Sequence, residues 1–387
     1  MSIPVSTSRR PLLQSGEGVV GDGVYVPALP GTVLWGRLPG RTDSPVARVR
    51  PGGTVVVDTV SHEGIMDDQG RDPVAFFREH GGLEADEVLT DTVAIAALVE
   101  RTGEDGPHVV TGPIAVEGAR PGDLLAVTIE ALEPRAPYGV VSTRHGRGVL
   151  QGEPAVDGTY SAFCDVVEHD GAMVGRIALR ADGTDPGHAT FPLAPFLGIV
   201  GVAADAPGRP HSTPPGLHGG NLDIALLTVG STLFLPVQVA DALLHVGDPH
   251  FAQGDGEVAL TALEAPLRAT LRVDIVPAAE AASLAGVSGP FAVAQGMLVP
   301  VGLSENLELA LRRCVRNAVG LLTSLVDVDP HRAYLYLSAA ADFAVSQAVD
   351  IVKGVHGAIR VSDFAEFRPG PLTDRILAAV ARSLEVA

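Results

Sequence analysis

Apolar and polar residues alternate along much of the first 275 residues, in short runs that end at glycine and proline. Residues 31–38 and 45–60 show this pattern, and Pro51-Gly52-Gly53 supplies a turn within the second run. Side chains on a β-strand alternate between its two faces, so a period of two is typical of half-buried strands. The pattern therefore predicts a mainly β fold with β-sandwich-like sheets.

Helical spacing of apolar residues appears in two other regions of the chain. In residues 72–101 a proline stands at a helix-start position, which predicts a helical insertion over the sheet. From Ser304, a predicted N-cap, apolar residues recur with a period of 3.6 and predict helices over 304–328, 330–352 and 372–387. The last of these is amphipathic and is a candidate oligomer contact. The fold class is thus α+β overall, with a C-terminal α/β portion.

These patterns divide the chain into three parts. Residues 1–29 show weak periodicity, which predicts an N-terminal extension that either wraps a neighbour or is partly disordered. Residues 30–275 form the predicted β-rich core, with the insertion near 72–101, and residues 276–387 form a helical portion packed on that core.

Composition restricts the classes of partner. Apolar residues make up 46% of the chain and charged residues 19%, which is typical of a packed core. The formal net charge of −19 argues against nucleic acid and against a membrane surface as partners, because both require cationic patches. The most apolar window is too short and too rich in proline for a membrane span. Two cysteines without a secretory signal indicate a reducing compartment, so we expect a cytoplasmic protein.

Chemically active residue types concentrate between residues 211 and 264, where four of the twelve histidines lie beside several carboxylates. The tripeptides Gly247-Asp248-Pro249 and Gly254-Asp255-Gly256 are predicted turns between strands. Asp248 and His250 flank a proline that restricts the backbone, so both side chains are presented with little freedom. Carboxylate oxygen together with neutral imidazole is a suitable ligand set for a divalent ion with an open position for water.

Two glutamates follow these turns. The run between Glu257 and Glu264 is rich in strand-forming residues, and an odd separation of seven would place the two side chains on opposite faces of one strand. We therefore expect only one of them at the site, and favour Glu257 because it directly follows a turn. Glu117, also before a turn, is either a second acid of the site or a partner of the turn amides, with the structural role favoured.

Three segments between residues 211 and 264 resemble the core of the acetamidase/formamidase family: HGGNLD (218–223), GSTLFLPV (230–237) and GDPHFAQGDGEV (247–258). Further similar segments occur in the expected order: VLWGRLPG (33–40) with DTVSH (58–62), then 108–123 and 195–203. The resemblance implies a mostly β fold, assembly into homo-oligomers and metal-dependent hydrolysis of short aliphatic amides to a carboxylic acid and ammonia. It also assigns six residues to the polar core of the family: Asn221, Asp223, Asp248, His250, Asp255 and Glu257.

Together, these arguments predict a site and a mechanism. Asp223, Asp248, His250, His62 and Asp255 are the candidate ligands of one or two divalent ions, zinc being preferred and calcium the alternative. Glu257 would transfer protons, and Asn221 would stabilise the oxyanion. His62 and His108 each have a structural alternative, as hydrogen-bonded histidines near strand ends. Glu117 remains a candidate second acid.

Other function classes are open on the sequence alone. The same scaffold could cleave a larger or cyclic amide, or the carboxylates could hold calcium in a β-rich binding protein without activity. A serine or cysteine nucleophile is disfavoured, because neither Cys164 nor Cys314 has a histidine-rich neighbourhood in sequence and no Gly-x-Ser-x-Gly elbow occurs.

Overall fold

The computed structural model describes residues 11–18, 21, 23–144, 147–180, 187–284 and 286–385; parts of the predicted N-terminal extension thus lie outside the described residues. Twenty strands, β1 to β20, are found among them. In chain order they are Val24–Val26, Val33–Trp35, Ala47–Val49, Thr54–Asp58, Val109–Val116, Leu124–Pro134, Tyr138–Ser142, Ser161–His169, Ala172–Ala178, His188–Pro192, Phe196–Gly201, Gly219–Asn221, Thr232–Pro236, Leu244–Ala252, Leu263–Glu264, Leu267–Val276, Phe291–Ala294, Met297–Ser304, Asp342–Gln347 and Lys353–Arg360.

Six α-helices, α1 to α6, lie in the same described residues: Pro73–Gly81, Thr90–Leu98, Ala278–Ala281, Leu307–Leu325, Pro330–Ala340 and Pro371–Glu385. α1 and α2 occupy the region predicted to be a helical insertion. Asn306, not Ser304, caps α4, since its side chain accepts a hydrogen bond from the backbone N–H of Leu309. The predicted helix over 330–352 is wrong beyond Ala340, because its second half pairs with β20 as strand β19.

The described strands form two large sheets. One has nine strands in the order β1-β4-β16-β6-β13-β17-β18-β20-β19, and it includes strands from both sides of residue 275. The other has the path β10-β9-β8-β7-β15-β14-β11-β12, with β5 paired to β14 and β2 and β3 paired to β5. Strand β14 lies at the centre of this second sheet, between β11 on one edge and β5 and β15 on the other.

A continuous apolar core joins the two sheets. It contains buried residues of both, such as Val57 and Val127 from the nine-stranded sheet and Leu197 and Val246 from the other. A second apolar cluster packs α4, α5 and α6 on the far end of the nine-stranded sheet, around the stacked rings of Phe234 and Phe291. The prediction of a mainly β fold with C-terminal helices is confirmed.

Buried ion pairs tie the N-terminal residues to the core. The Arg135 guanidinium is fully buried and lies 2.6 Å from Asp91, while Arg268 lies 2.6 Å from Asp58. Arg135 also donates to the backbone carbonyl of Leu13, and β1 pairs in parallel with β4.

Among the described residues, no helix has both the length and the hydropathy needed to cross a bilayer.

Candidate functional site

Strand β14 carries the central residues of the site, Asp248 and His250, both buried. The predicted turn at residues 247–249 is wrong: the strand continues through Pro249, and pairing with β11 places Phe196 opposite His250 and Leu197 opposite Pro249. The backbone nevertheless changes course there, since Asp248 has a φ of 53°. This left-handed conformation inside a strand turns the side chain away from the direction that regular alternation would give it.

Asp248 contacts histidines through both of its carboxylate oxygens. Its Oδ1 atom lies 3.5 Å from Nδ1 of His62 and 3.7 Å from Nε2 of His108. Its Oδ2 atom lies 3.2 Å from Nε2 of His250. His62 follows β4 of one sheet, and His108 precedes β5 of the other, so Asp248 stands where the two sheets meet. The structure thus brings the predicted residue His62 together with His108, whose role the sequence left open.

Glu264 also belongs to this cluster. Alternation along a strand predicted that only one of the two glutamates, Glu257, would face the site. Its Oε1 atom lies 3.0 Å from Nε2 of His250, its cross-strand neighbour. Residues 257–262 do not form a strand: only Leu263 and Glu264 pair, and the chain turns at Glu257, which has a φ of 46°. The separation of seven residues therefore does not determine where the two side chains point, and both glutamates lie at the site.

Asn221 and Asp223 approach the cluster from β12 and the residues that follow it. Asn221 lies opposite Ile199 of β11, and the backbone N–H of Asp223 donates to the carbonyl of Gly198.

Three groups of side chains each have ligand atoms within 4.8 Å of one another: His62, His108 and Asp248; Asp248, His250 and Glu264; and Asp223, His250 and Glu257.

Gly198 makes room for these carboxylates. A Cβ at this position would stand 2.4 Å from Oδ1 of Asp223 and 2.5 Å from Oδ2 of Asp248. Both distances are far below van der Waals contact, and Gly198 does not have a left-handed φ that would otherwise call for glycine. The absent side chain is therefore required by the cluster itself.

Several buried polar atoms of the cluster lack a hydrogen-bond partner among the described residues. They are both ring nitrogens of His62 and His250, both carboxylate oxygens of Asp223, Oδ1 of Asp248, Oε2 of Glu264 and Oδ1 of Asn221. Buried polar groups are nearly always satisfied, and leaving them unpaired is costly. Imidazole and carboxylate converging in this way form a donor set that fits a divalent cation. The residues present therefore fit the expected metal.

Electrostatics support the same conclusion. Burial and the neighbouring Asp350 carboxylate raise the pKa of Glu257 well above its ordinary value, and burial raises the pKa of Asp350 to about 7. Burial, helped by its cationic neighbours and opposed by Asp248, lowers the pKa of His108 to about 3, so its imidazole is neutral. Five carboxylates in one buried cluster cannot all be charged without compensating cations. Bound metal would supply that compensation in place of protons.

A cavity of about 820 Å³ opens above the cluster. Six of the residues already named line it: His62, His108, Asn221, Asp248, Glu257 and Glu264. Its other lining residues include Arg144 and Asp350, which the sequence does not assign to the site. Asp350 follows β19, whose end is tied to the turn before Glu257 by backbone hydrogen bonds of Gly256. The helical periodicity around residue 350 predicts a helix, so the sequence does not indicate that Asp350 lies at the site. No sequence signal distinguished Arg144 from a solvated loop residue.

Two predicted site residues are not brought to the cluster. Glu117 is exposed at the far end of β5, eight residues from the end near His108, and lies 3.6 Å from Arg50. Asp255 is exposed on its turn and does not line the cavity. The prediction of Glu117 as a catalytic acid and of Asp255 as a metal ligand is corrected: a strand of eight residues spans roughly 26 Å, and a turn residue can face solvent.

Residues 199–361 match the model of the Acetamidase/Formamidase family. A formamidase of Methylophilus methylotrophus is 33% identical over 192 residues, covering 39% of this chain and 47% of the relative. An acetamidase of Mycolicibacterium smegmatis is 30% identical over 198 residues, covering 39% of this chain and 49% of the relative. The chain thus spans about half the length of the curated relatives it matches.

The fold is also similar to a solved structure over most of the chain. The crystal structure of a recombinant predicted acetamidase/formamidase from Thermoanaerobacter tengcongensis superposes with a TM-score of 0.65 at 25% sequence identity. The superposition covers 87% of this chain and 95% of the other.

Proposed function

We propose that this chain, which belongs to the acetamidase/formamidase family through residues 199–361, hydrolyses the C–N bond of a short aliphatic amide. The products would be a carboxylate and ammonia. Relatives named formamidase and acetamidase support the reaction class. The observation that carries the proposal is the buried cluster around Asp248, in which imidazole and carboxylate atoms lack partners beneath an open cavity.

The proposed activity depends on a divalent metal, with zinc preferred over calcium because three histidines contribute nitrogen. His62, His108 and Asp248 would hold one ion, and Asp248, His250 and Glu264 a second, with Asp223 beside them. The two oxygens of Asp248 face different histidines, so this carboxylate would belong to both groups of candidate ligands. When bound, the metal supplies Lewis acidity that lowers the pKa of coordinated water from about 15.7 to roughly 7.

Glu257 is the proposed proton carrier. It is buried, lines the cavity and has a raised pKa, as a general base and acid working near neutral pH requires. In the proposed mechanism Glu257 takes one proton from the attacking water while the oxygen of that water bonds to the amide carbon. The C–N bond then breaks, and Glu257 delivers the proton to the departing nitrogen.

Asn221 is the proposed oxyanion donor. Its side chain is buried at the cavity wall, where its amide can donate to the carbonyl oxygen as negative charge develops there. The backbone of Asn221 is fixed by the pairing of β12 with β11, which holds this residue at the cavity wall. The proposal further places the protein in the cytoplasm as a homo-oligomer, in line with two buried free cysteines and with the family resemblance.

Release of ammonia from formamide, acetamide and longer primary amides tests the function. The protein should be assayed as purified, after treatment with a chelator, and after zinc is restored. Activity that is lost on chelation and regained with zinc supports the proposal. Metal bound without hydrolysis of any linear or cyclic amide would instead favour a metal-stabilised binding protein.

A further inference from the structure

The cavity above the cluster is much larger than a short amide requires. Its volume of about 820 Å³ falls within the range of about 300–1,000 Å³ that encloses drug-sized ligands. Formamide or acetamide would fill only a small part of it. Its walls beyond the cluster come from the loop at 66–68, residues 101–108 and the segment around Arg144 and Arg147, together with residues 349–353. A substrate that contacts these walls must therefore extend beyond its amide group.

Arg144 is the most unusual residue of these walls. Its side chain is only 7% exposed, and its Nε atom lies 3.2 Å from Oε1 of Glu63. That contact lacks hydrogen-bond geometry, so the buried Nε atom has no hydrogen-bond partner among the described residues. A buried guanidinium carries five N–H donors, and leaving them unsatisfied is costly. This residue therefore presents an unused donor and a positive charge to the cavity.

Arg144 is a counter-ion of Glu63, because its charge together with that of His62 lowers the pKa of the buried carboxyl, but Glu63 also has hydrogen-bond partners of its own. Its Oε1 atom accepts a hydrogen bond of 2.8 Å from Ser142, and its Oε2 atom accepts one of 2.6 Å from Gln69. The carboxylate thus retains a bond to each oxygen without the guanidinium. The position of Arg144 is not explained by a structural ion pair alone, and a ligand in the cavity is the remaining partner.

The charges at the mouth of the cavity point to an anionic ligand. Three aspartates line this mouth, Asp67, Asp68 and Asp105. Asp67 is paired with Arg101 at 2.7 Å, and Asp105 with Arg37 at 2.6 Å. Arg147, by contrast, is exposed and has no ion pair with any described residue, and Lys353 donates only to a backbone carbonyl. Cations that are not neutralised attract an anion and raise its local concentration.

We infer that the preferred substrate is an amide that also bears a carboxylate, which the guanidinium of Arg144 binds in bidentate fashion. This inference rests on the proposed amidase function and specifies its substrate class. The planar fork of arginine matches a carboxylate through two parallel hydrogen bonds. The guanidinium already faces the charge of Glu63, and Glu257 and Asp350 lie on the same cavity wall, so a singly charged carboxylate is favoured over a more highly charged phosphate. Arg147 and Lys353 attract the anion toward the cavity without a fixed contact.

Succinamate, the monoamide of succinic acid, and its neutral counterpart butanamide test the inference. The wild-type protein should show a higher kcat/KM for succinamate, and added salt should reduce that advantage. Arg144→Met should lower the ratio of the two kcat/KM values about 10-fold or more, mainly through the KM of succinamate, because a charge-assisted bidentate pair is lost. Arg144→Lys, which keeps the charge but loses the fork, should give an intermediate ratio. Arg316→Met, on the exposed side of α4, is the matched control and should leave the ratio unchanged.

A binding measurement separates the outcomes. Titration calorimetry with succinate should show binding to the wild-type protein that is weakened about 10-fold or more in Arg144→Met. Equal kcat/KM for the two amides, or equal loss of both in Arg144→Met, would overturn the inference while the amidase function stands. Failure to hydrolyse any amide would reject the proposed function, and the succinate titration would then decide on Arg144 alone: unaltered binding in Arg144→Met, or none in the wild type, overturns its role.

Discussion

Gly198 lies so close to Asp223 that a Cβ on residue 198 would stand 2.4 Å from the Oδ1 atom of that aspartate. The neighbouring strands are tightly paired, so neither backbone can retreat without breaking ladder hydrogen bonds. The carboxylates of Asp223 and Asp248 can therefore face each other only across a glycine. This contact gives the first prediction.

Gly198→Ala should displace the two carboxylates and weaken metal binding by about 10- to 100-fold, the usual effect of disturbing the support of ligands. Metal content after dialysis and amidase activity should fall together. Gly208→Ala is the matched control, because a Cβ there meets nothing within 4 Å. A Gly198→Ala protein with full metal content and activity would show that the carboxylates do not act as ligands.

Removal of metal should destabilise the protein, because buried carboxylates and imidazoles then lose their common partner. Binding of an ion to the native state alone contributes about 2.7 kcal/mol when its free concentration is a hundredfold above its Kd. Chelation should therefore lower the melting temperature, and added zinc should restore it. Asp248→Asn should abolish this response, whereas Asp255→Asn, on the exposed turn, should retain it. An equal response in both variants would contradict the placement of Asp248 at the centre.

Glu257→Gln should reduce kcat by about 10²- to 10⁴-fold, the usual contribution of a positioned acid and base, while metal content is retained. The amide has nearly the same shape but cannot accept the proton. Glu117→Gln should keep wild-type kinetics, since Glu117 lies on the surface beside Arg50. If Glu257→Gln instead loses metal along with activity, Glu257 is a ligand and the proton carrier must be sought elsewhere.

Arg135→Met should destabilise the fold without acting on the site. The guanidinium is fully buried 2.6 Å from Asp91, and its loss leaves that carboxylate charged and unpaired in the interior. Removing one partner of a buried pair costs about 3–5 kcal/mol, which denaturant unfolding should measure. Arg312→Ala breaks the exposed pair with Glu308 and should stay within about 0.5 kcal/mol of wild type. A similar small loss for Arg135→Met would mean that water reaches Asp91.

Much of the fold could be predicted from local patterns. Alternating residues gave the β class, and helical spacing gave α1, α2, α4 and α6, because burial of one face depends only on the period of the chain. The helix predicted over 330–352 failed at Asp342. There the pairing of β19 with β20 outweighs a helical preference, and that pairing involves residues distant in sequence.

The site was predictable only where its residues are local. Asn221, Asp223, Asp248, His250 and Glu257 lie within one stretch of chain and match one family pattern. Alternation along a regular strand excludes Glu264 from the site, but the left-handed backbone at Glu257 breaks that regularity. Glu117 and Asp255 were included because a sequence does not show which end of a strand, or which side of a turn, faces the cavity.

The sequence by itself determined which chemical groups are available and which segments become strands, because both depend on residue type and short-range period. His62 is predicted as a ligand from the sequence, but tertiary structure alone decided that His108 and Asp350 join it near Asp248. It also decided that Arg144 lines the same cavity. The reason is physical: convergence depends on strand register, on sheet packing and on a few left-handed backbone angles, and none of these is encoded in the spacing of residues along the chain.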